Sequence, residues 1–340
     1  MNDKSGCVNN IDFVLKNKYN IDRLNVHNKD AASNILLIQQ ESLKGRGLFS
    51  LVSAVICYID IAEKYKLIPV IDFENYPTVY NDPEYRDSNN AWEYYFNPVS
   101  SYDINNLPID ANVFITDSKY PKGYDYSISS MPFLLMIYDK FIRLNEQAKS
   151  ALNLCNISVN ASTLGVHFRG QEMRTARGHW LPPNNKQIFT SIDRMLSTGL
   201  FNEIFLVTED LDNLKAVIKR YGNLVKFTDS YRTSSINAYK IKPRQMHFYN
   251  LGLEILIDAL ILGNCGGLIH CSSNVAEFSK FINNGRYVNS IYINNGPNSK
   301  IYPLNFVLWR IKSALSEELG GFSTSNQALI QYRQSVPTSS

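Results

Sequence analysis

TLGVHFRGQEMRTARGHW (Thr163–Trp180) decides how this chain folds. Its opening residues are mostly apolar or β-branched, and they read as a buried strand ending near Phe168. The pattern then turns cationic, with Arg169, Arg174 and Arg177 close to Glu172 and His179. A strand that is apolar throughout and ends in charge suits a parallel α/β sheet. There, ligands gather beyond the carboxyl ends of the strands.

Alternation continues downstream. Residues 185–197 read as a helix, EIFLVT (Glu203–Thr208) as a strand, and Leu211–Tyr221 as a helix stopped by Gly222. LVKFT (Leu224–Thr228), GGLIHC (Gly266–Cys271) and YVNSIYI (Tyr287–Ile293) read as further strands. Helices are expected over His247–Leu262 and Asn274–Ile282, with a terminal one within Pro303–Leu319. Upstream, NILLIQQ (Asn34–Gln40), the turn SLKGRG, a helix from Leu48 and LIPVIDF (Leu67–Phe73) repeat the theme. In that helix Leu48, Leu51, Val52, Val55, Ile59 and Ala62 fall on one apolar face. Glu74–Phe96, rich in Asn, Asp, Pro and aromatic residues, reads as a functional surface region. The fold class is α/β. The expected organisation is an N-terminal domain over 1–160, a nucleotide-type domain over 161–320 and a mobile tail over 321–340.

With 340 residues the chain can bury a sizeable core without staples. Its net charge of +3, from 34 Lys+Arg and 31 Asp+Glu, is too balanced for general nucleic-acid binding. The cysteines (Cys7, Cys57, Cys155, Cys265, Cys271) are odd in number and form no CxxC pair, so neither a disulfide framework nor a metal site is expected. MNDKSGCVNN has no apolar signal core, and no apolar run approaches the ~20 residues of a membrane span. The expectation is a cytoplasmic protein, with a peripheral place at the inner membrane face left open.

If the strands are parallel, HFRGQE, TED (Thr208–Asp210), TDSYR (Thr228–Arg232) and CSSN (Cys271–Asn274) meet at one sheet edge. Arg169 could grip phosphate oxygens with its fork. Ser272 or Ser273 could cap a helix whose free N–H groups bind an anion. Together they favour a phosphorylated ligand. His167 reads either as a satisfied core residue or as a site residue. Asp258, inside LGLEILIDALILG, is either on a half-exposed helix face or a ligand-binding carboxylate. Gly45–Gly47 (GRG) lacks a full phosphate-loop pattern and reads as a tight turn.

GVHFRGQE resembles the HxRxxD/E segment of fucosyltransferases, in particular the α1,6-fucosyltransferase and nodulation-fucosyltransferase group, related to the protein O-fucosyltransferases. SLKGRG with the helix and strand after it, NAWEYYFNPVS, LVTEDLDNL and LIDALILGNCGGLIHCSSNVAEF resemble other segments of that group in the same order, over Leu43–Ile282. The resemblance implies a GT-B-like fold of two Rossmann-like domains whose parallel sheets face a central cleft. It implies an inverting, metal-independent glycosyltransferase with GDP-fucose as donor, no further cofactor, and a glycan acceptor. On that pattern Arg169 binds the donor diphosphate, His167, Thr208 and Asp258 line the nucleoside, and Ser272, Ser273 and Asn274 form the β-phosphate turn. Glu172 stands at the acidic position and Asp210 keeps the second acid of the Thr-Asp-Asp loop; with Arg169 they are the catalytic candidates. Arg46, Arg177 and His179 are candidates on the acceptor side. The chain departs from the group in having Gly170 after Arg169, where adjacent arginines are expected, and Met173 in place of a lysine. Transfer from another nucleotide sugar, or nucleotide and glycan binding without catalysis, are the competing readings.

Overall fold

The structure is a computed structural model that describes residues 11–25, 28, 31–40, 45–117, 120–125, 127–234, 236–324 and the backbone of 328–331. The chain divides into two compact units: 1–154 with 243–253, and 155–242 with 254–340.

The first unit is built on β1 (Asp22–Arg23), β2 (Asn34–Gln39), β3 (Ile68–Asp72) and β4 (Asn112–Ile115), in the order β1-β4-β2-β3. β2 is parallel to β3 and to β4, and β1 runs antiparallel along the edge. Helix α1 (Leu48–Tyr65) joins β2 to β3, so the strand–turn–helix–strand unit is present. Gly47 offers no side chain to cap the helix, and the Tyr80 hydroxyl accepts from the Leu48 N–H at 2.8 Å instead. A single apolar face understates α1, because Phe49, Ile56, Cys57 and Ile61 are buried as well. Its second cover comes later in the chain: Tyr120 donates to the Ser50 carbonyl at 3.1 Å, and α2 (Leu135–Phe141) packs on α1. Helix α3 (Glu146–Leu154) follows.

The second unit starts from the deciding strand, β5 (Thr163–His167), every residue of which is buried. β5 is paired in parallel with β6 (Glu203–Val207) and β8 (Gly267–His270). β7 (Val225–Lys226) and β9 (Asn289–Tyr292) extend the sheet in parallel on either side. β10 (Ala328–Gln331) closes one edge antiparallel to β9, so the segment expected as a tail contributes a strand. The order is β10-β9-β8-β5-β6-β7. The central strands need cover on both faces, which explains their unbroken apolar character. Helix α4 (Asn185–Leu196) buries Ile188, Ile192 and Met195 against Leu164, Val166 and Leu206. It is locked at its start by a reciprocal capping box between Asn184 and Gln187. Helix α5 (Leu211–Tyr221) ends where Gly222 takes a positive φ of 55°. On the other face α6 (His247–Leu262) comes close to β5 at Gly165, where a Cβ would stand 2.6 Å from Leu262 Cδ1. A side chain there would have to turn the end of Leu262 aside and crowd the Gly267 carbonyl at 3.2 Å and Cys265 Cβ at 3.3 Å. Helix α7 (Asn274–Asn283) follows β8, and α8 (Leu304–Ala314) follows β9.

Residues 247–253 of α6 belong to the first unit and the rest to the second. Here the reading of Glu74–Phe96 as a surface region is corrected. Tyr80, Tyr85, Trp92, Tyr94, Tyr95 and Phe96 are all buried. Tyr249 stacks on Tyr85 at 4.6 Å between ring centroids, and the Tyr95 hydroxyl donates to the Tyr249 carbonyl at 2.9 Å. The acids of the stretch serve the helix start: Asp82 Oδ2 accepts from the N–H groups of Phe248 and Tyr249 at 2.8 and 3.3 Å, and Glu84 accepts from Met246 N–H at 2.7 Å. The Asn and Asp residues that suggested solvent exposure satisfy buried backbone instead.

Candidate functional site

The four parallel strands β8, β5, β6 and β7 end on one edge of the second unit's sheet. The segments named from the sequence therefore meet there. Phe168 continues the β5 ladder, donating to the Val207 carbonyl at 2.9 Å. Arg169 is the first residue free of the ladder and is half-buried. Its Nη1 donates to the Ser272 carbonyl at 2.9 Å. Among the described residues this is its one hydrogen bond, so most of the fork is uncommitted. The bond ties Arg169 to the turn before α7. In that turn Ser273, and not Ser272, is the N-cap, accepting from Val275 N–H at 3.2 Å. Asn274 is exposed at the first helical position. A cationic fork and a helix N-terminus thus share one corner of the edge.

Gly170 explains why no second arginine follows Arg169. A Cβ there would lie 2.6 Å from Asp210 Cβ and 3.3 Å from Glu209 Oε1. Its N–H donates to that same Glu209 oxygen at 2.7 Å. Asp210 is 1% exposed and caps α5, its Oδ1 accepting from Asp212 and Asn213 N–H at 2.8 and 3.2 Å. Its Oδ2 faces Arg174 Nη2 at 3.8 Å. The Arg174 guanidinium lies over the Trp309 ring, 4.3 Å from its centroid, and burial lowers its pKa. The Glu172 side chain is outside the described residues.

His167 is buried on β5, and among the described residues its Nδ1 has no hydrogen-bond partner. Burial first, then the charges of Arg169 and His270, lower its pKa to about 3, so the ring is neutral. His270, buried on neighbouring β8, is likewise pushed down to about 4, mainly by burial.

Asp258 lies at the far side of this edge. It is buried, and its oxygens accept from Thr228 Oγ1 at 2.5 Å and Ser230 Oγ at 3.3 Å. Burial raises its pKa to about 6, against the lowering pull of Thr228, Arg232 and Ser230. Arg232 clips the strand ends together, donating to the carbonyls of Thr208 at 3.0 Å and Ser230 at 2.7 Å. Its Nη2 is buried and has no hydrogen-bond partner among the described residues. So Thr208 and Asp258 are brought together through a guanidinium the sequence reading located but did not select.

The loop after Arg174 is held by buried asparagines from beyond β9. Asn298 donates to the carbonyls of Arg174 and Ala176, both at 3.2 Å, and Asn305 donates to Thr175 at 2.7 Å. Arg177 and His179 are exposed on this loop. Arg177 lies over Tyr302 at 5.7 Å, and His179 has its pKa lowered by partial burial and then by Arg169. Arg46 belongs to the first unit, where it bonds Ser50 and stacks on Tyr120. Arg232, His270, Asn298 and Trp309 were missed as site-building residues. Arg232 alone carried a readable signal, a cation directly after a strand end. Among the described residues no group of three or more His, Cys, Asp or Glu side chains is placed to hold a metal ion, and no helix is long and apolar enough to cross a membrane.

The cationic corner stands at the carboxyl edge of a parallel sheet, the edge outside which ligands bind in open α/β sheets generally. No protein-family model and no curated protein matches the chain's sequence. Solved structures do match its fold. A NodZ alpha-1,6-fucosyltransferase co-crystallized with GDP aligns with a TM-score of 0.53 at 14% identity, covering 78% of this chain and 97% of that one. The same enzyme soaked with GDP-fucose gives 0.51 at 12% identity, covering 77% and 95%. A NodZ structure from Bradyrhizobium gives 0.49 at 13%, covering 77% and 96%. The fold is fucosyltransferase-like: α/β, GT-B-like in class, with parallel sheets.

Proposed function

We propose that the protein transfers fucose from GDP-fucose to a glycan acceptor, with inversion at the anomeric carbon and without a metal ion or further cofactor. The observation that carries this reading is the uncommitted Arg169 fork beside the Ser273-capped start of α7. The fucosyltransferase-like fold supports it. In the proposed reaction the acceptor hydroxyl attacks C1 of fucose as the C1–O bond to the β-phosphate breaks. The electron pair leaves on the phosphate, where Arg169 and the α7 N–H groups stabilise it. The hydroxyl proton passes to a carboxylate. Glu172 holds that role in this proposal. Asp210 does not, because one oxygen caps α5 and the side chain is almost wholly buried; it serves as the cap of α5 and faces Arg174. His167, Thr208 and Asp258 form the nucleoside side, Ser272, Ser273 and Asn274 the β-phosphate turn, and Arg46, Arg177 and His179 the acceptor side. The donor side is the unit of 155–242 with 254–340 and the acceptor side that of 1–154 with 243–253, so the expected bounds of 161–320 and 1–160 shift to place 243–253 with the first unit and β10 with the second. The proposed place of work is the cytoplasm.

The test is a thermal-shift series with GDP, UDP, CMP and ADP, followed by donor turnover with and without EDTA. GDP at 100 times its Kd should add about 2.7 kcal/mol of stability, and turnover should survive EDTA. Equal protection by UDP would replace fucose with another nucleotide sugar. Protection by GDP without turnover on any acceptor would leave a binding protein.

A further inference from the structure

Helix α8 is turned the wrong way for a helix facing water. Leu304, Val307, Ile311 and Leu315, spaced at i, i+3, i+7 and i+11 along and just past the helix, are each 40–46% exposed. Just before them Ile301 and Tyr302 are 68% and 67% exposed. The opposite face is the anchored one. Asn305 is 1% exposed and bonds the Thr175 carbonyl, and Trp309 donates to the Pro182 carbonyl at 2.8 Å. Apolar side chains line the outer face, while buried Asn305 and half-buried Trp309, packed on Phe322, hold the helix to the unit. Such a contiguous exposed stripe marks a contact surface.

Charge selects the occupant. Along the stripe stand Lys300, Arg310 and Lys312; Lys280 is already paired with Glu277, and the exposed Glu317 and Glu318 follow the last apolar residue, Leu315, with Glu317 accepting from the Thr324 hydroxyl. Lys300 and Arg310 are exposed beside the stripe. Arg177 adds a cation over the Tyr302 ring. The exposed cations Lys300, Arg310 and Arg177 outnumber the acids Glu317 and Glu318 at the far end, so the face is net positive. An anionic phospholipid surface accepts both the apolar stripe and the cations. The 11-residue helix, roughly 16 Å long by its rise per residue, is too short to span a bilayer and fits within the interface plane.

We infer that α8 and its entry at Ile301–Tyr302 dock the protein on an anionic membrane surface. Asn298 and Asn305 pin the 174–179 loop to this helix, so docking carries Arg177 and His179 to the headgroup layer. Resting on the proposed function, this makes the acceptor a membrane-held, lipid-linked glycan.

Full-length protein is sedimented with phosphatidylcholine vesicles, with and without phosphatidylglycerol, at low and high salt. Binding should require phosphatidylglycerol and weaken with salt. Lys300→Glu with Arg310→Glu should lower partitioning at low salt by roughly 25-fold or more, counting about 5-fold per lost cation. Val307→Ser with Ile311→Ser should also release the protein, while thermal unfolding of both variants stays near that of the wild type. No binding to anionic vesicles, or unchanged binding in both folded variants, overturns the docking. A self-association abolished by V307S/I311S, with vesicles left unbound, would assign the face to a second copy. Vesicle binding without GDP protection keeps the docking and removes only the lipid-linked acceptor.

Discussion

A guanidinium stabilises a leaving phosphate only if its donors are held where charge develops. In the proposed reaction Arg169 would meet that condition through one bond to the Ser272 carbonyl, which orients the fork without consuming it. Lysine could keep the charge but not the planar, two-pronged geometry. Arg169→Lys should therefore fold normally, retain weak GDP binding and lose roughly 100–1,000-fold in turnover, the usual cost of one preorganised donor. Circular dichroism and kinetics at saturating donor check this, and near-wild-type turnover would remove Arg169 from the chemistry. Arg174→Ala should behave differently, because Arg174 is spent on Trp309 and Asp210. Its loss should appear in stability, by about 1 kcal/mol for a packed cation on an aromatic ring, more than in rate. Arg169 and the serine cap were legible because a cation after an apolar strand and a Ser before a helix are local patterns. Arg232 and Asn298 act through partners on other elements, and no local pattern reveals that.

At the level of elements, the alternation of strands and helices in the second unit was readable because its periodicities are local. Leu211–Tyr221 was legible to its last residue, since Gly222 supplies the stop. The Glu74–Phe96 stretch was not. Its polar residues look solvated until α6 arrives from more than 160 positions away. Asp82 then becomes the acceptor for two N–H groups in the first turn of α6, while buried to 3% exposure. Side-chain capping of orphan helix donors is normally supplied by a residue next to the helix. Asp82→Ala should cost about 1–2 kcal/mol, in the range of lost N-caps, and should lower the urea midpoint. Asp82→Asn, which keeps an acceptor oxygen, should recover most of the loss. Equal destabilisation by both substitutions would mean that charge, and not capping, is what α6 requires.

Across the whole molecule, three buried groups of the second unit set how stability responds to acid. His167 and His270 have folded pKa values near 3 and 4, below the usual 6.5, because burial disfavours their charged forms. The unfolded chain therefore binds these protons first, and stability is lost as pH falls below about 6.5. Asp258 has the opposite sign. Its folded pKa of about 6 exceeds the ordinary 3.8, so between those values the folded state holds a proton that the unfolded chain releases. Acidification through that window favours folding at this one group. Two histidines against one aspartate leave a net loss of stability between pH 6 and pH 4, with each uncompensated proton contributing about 1.4 kcal/mol per pH unit. Asp258→Asn should remove the offset and steepen the acid loss, while His270→Asn should flatten it. Urea midpoints at several pH values from neutrality to about pH 4.5 read this directly. Other carboxylates titrate in both proteins and largely cancel in the comparison of each variant with the wild type. An Asp258→Asn profile parallel to the wild type would mean that Asp258 is already ionised in the folded protein. The pull of Arg232 and the Thr228 and Ser230 hydroxyls would then offset burial, and Asp258 would carry a full negative charge in the folded protein.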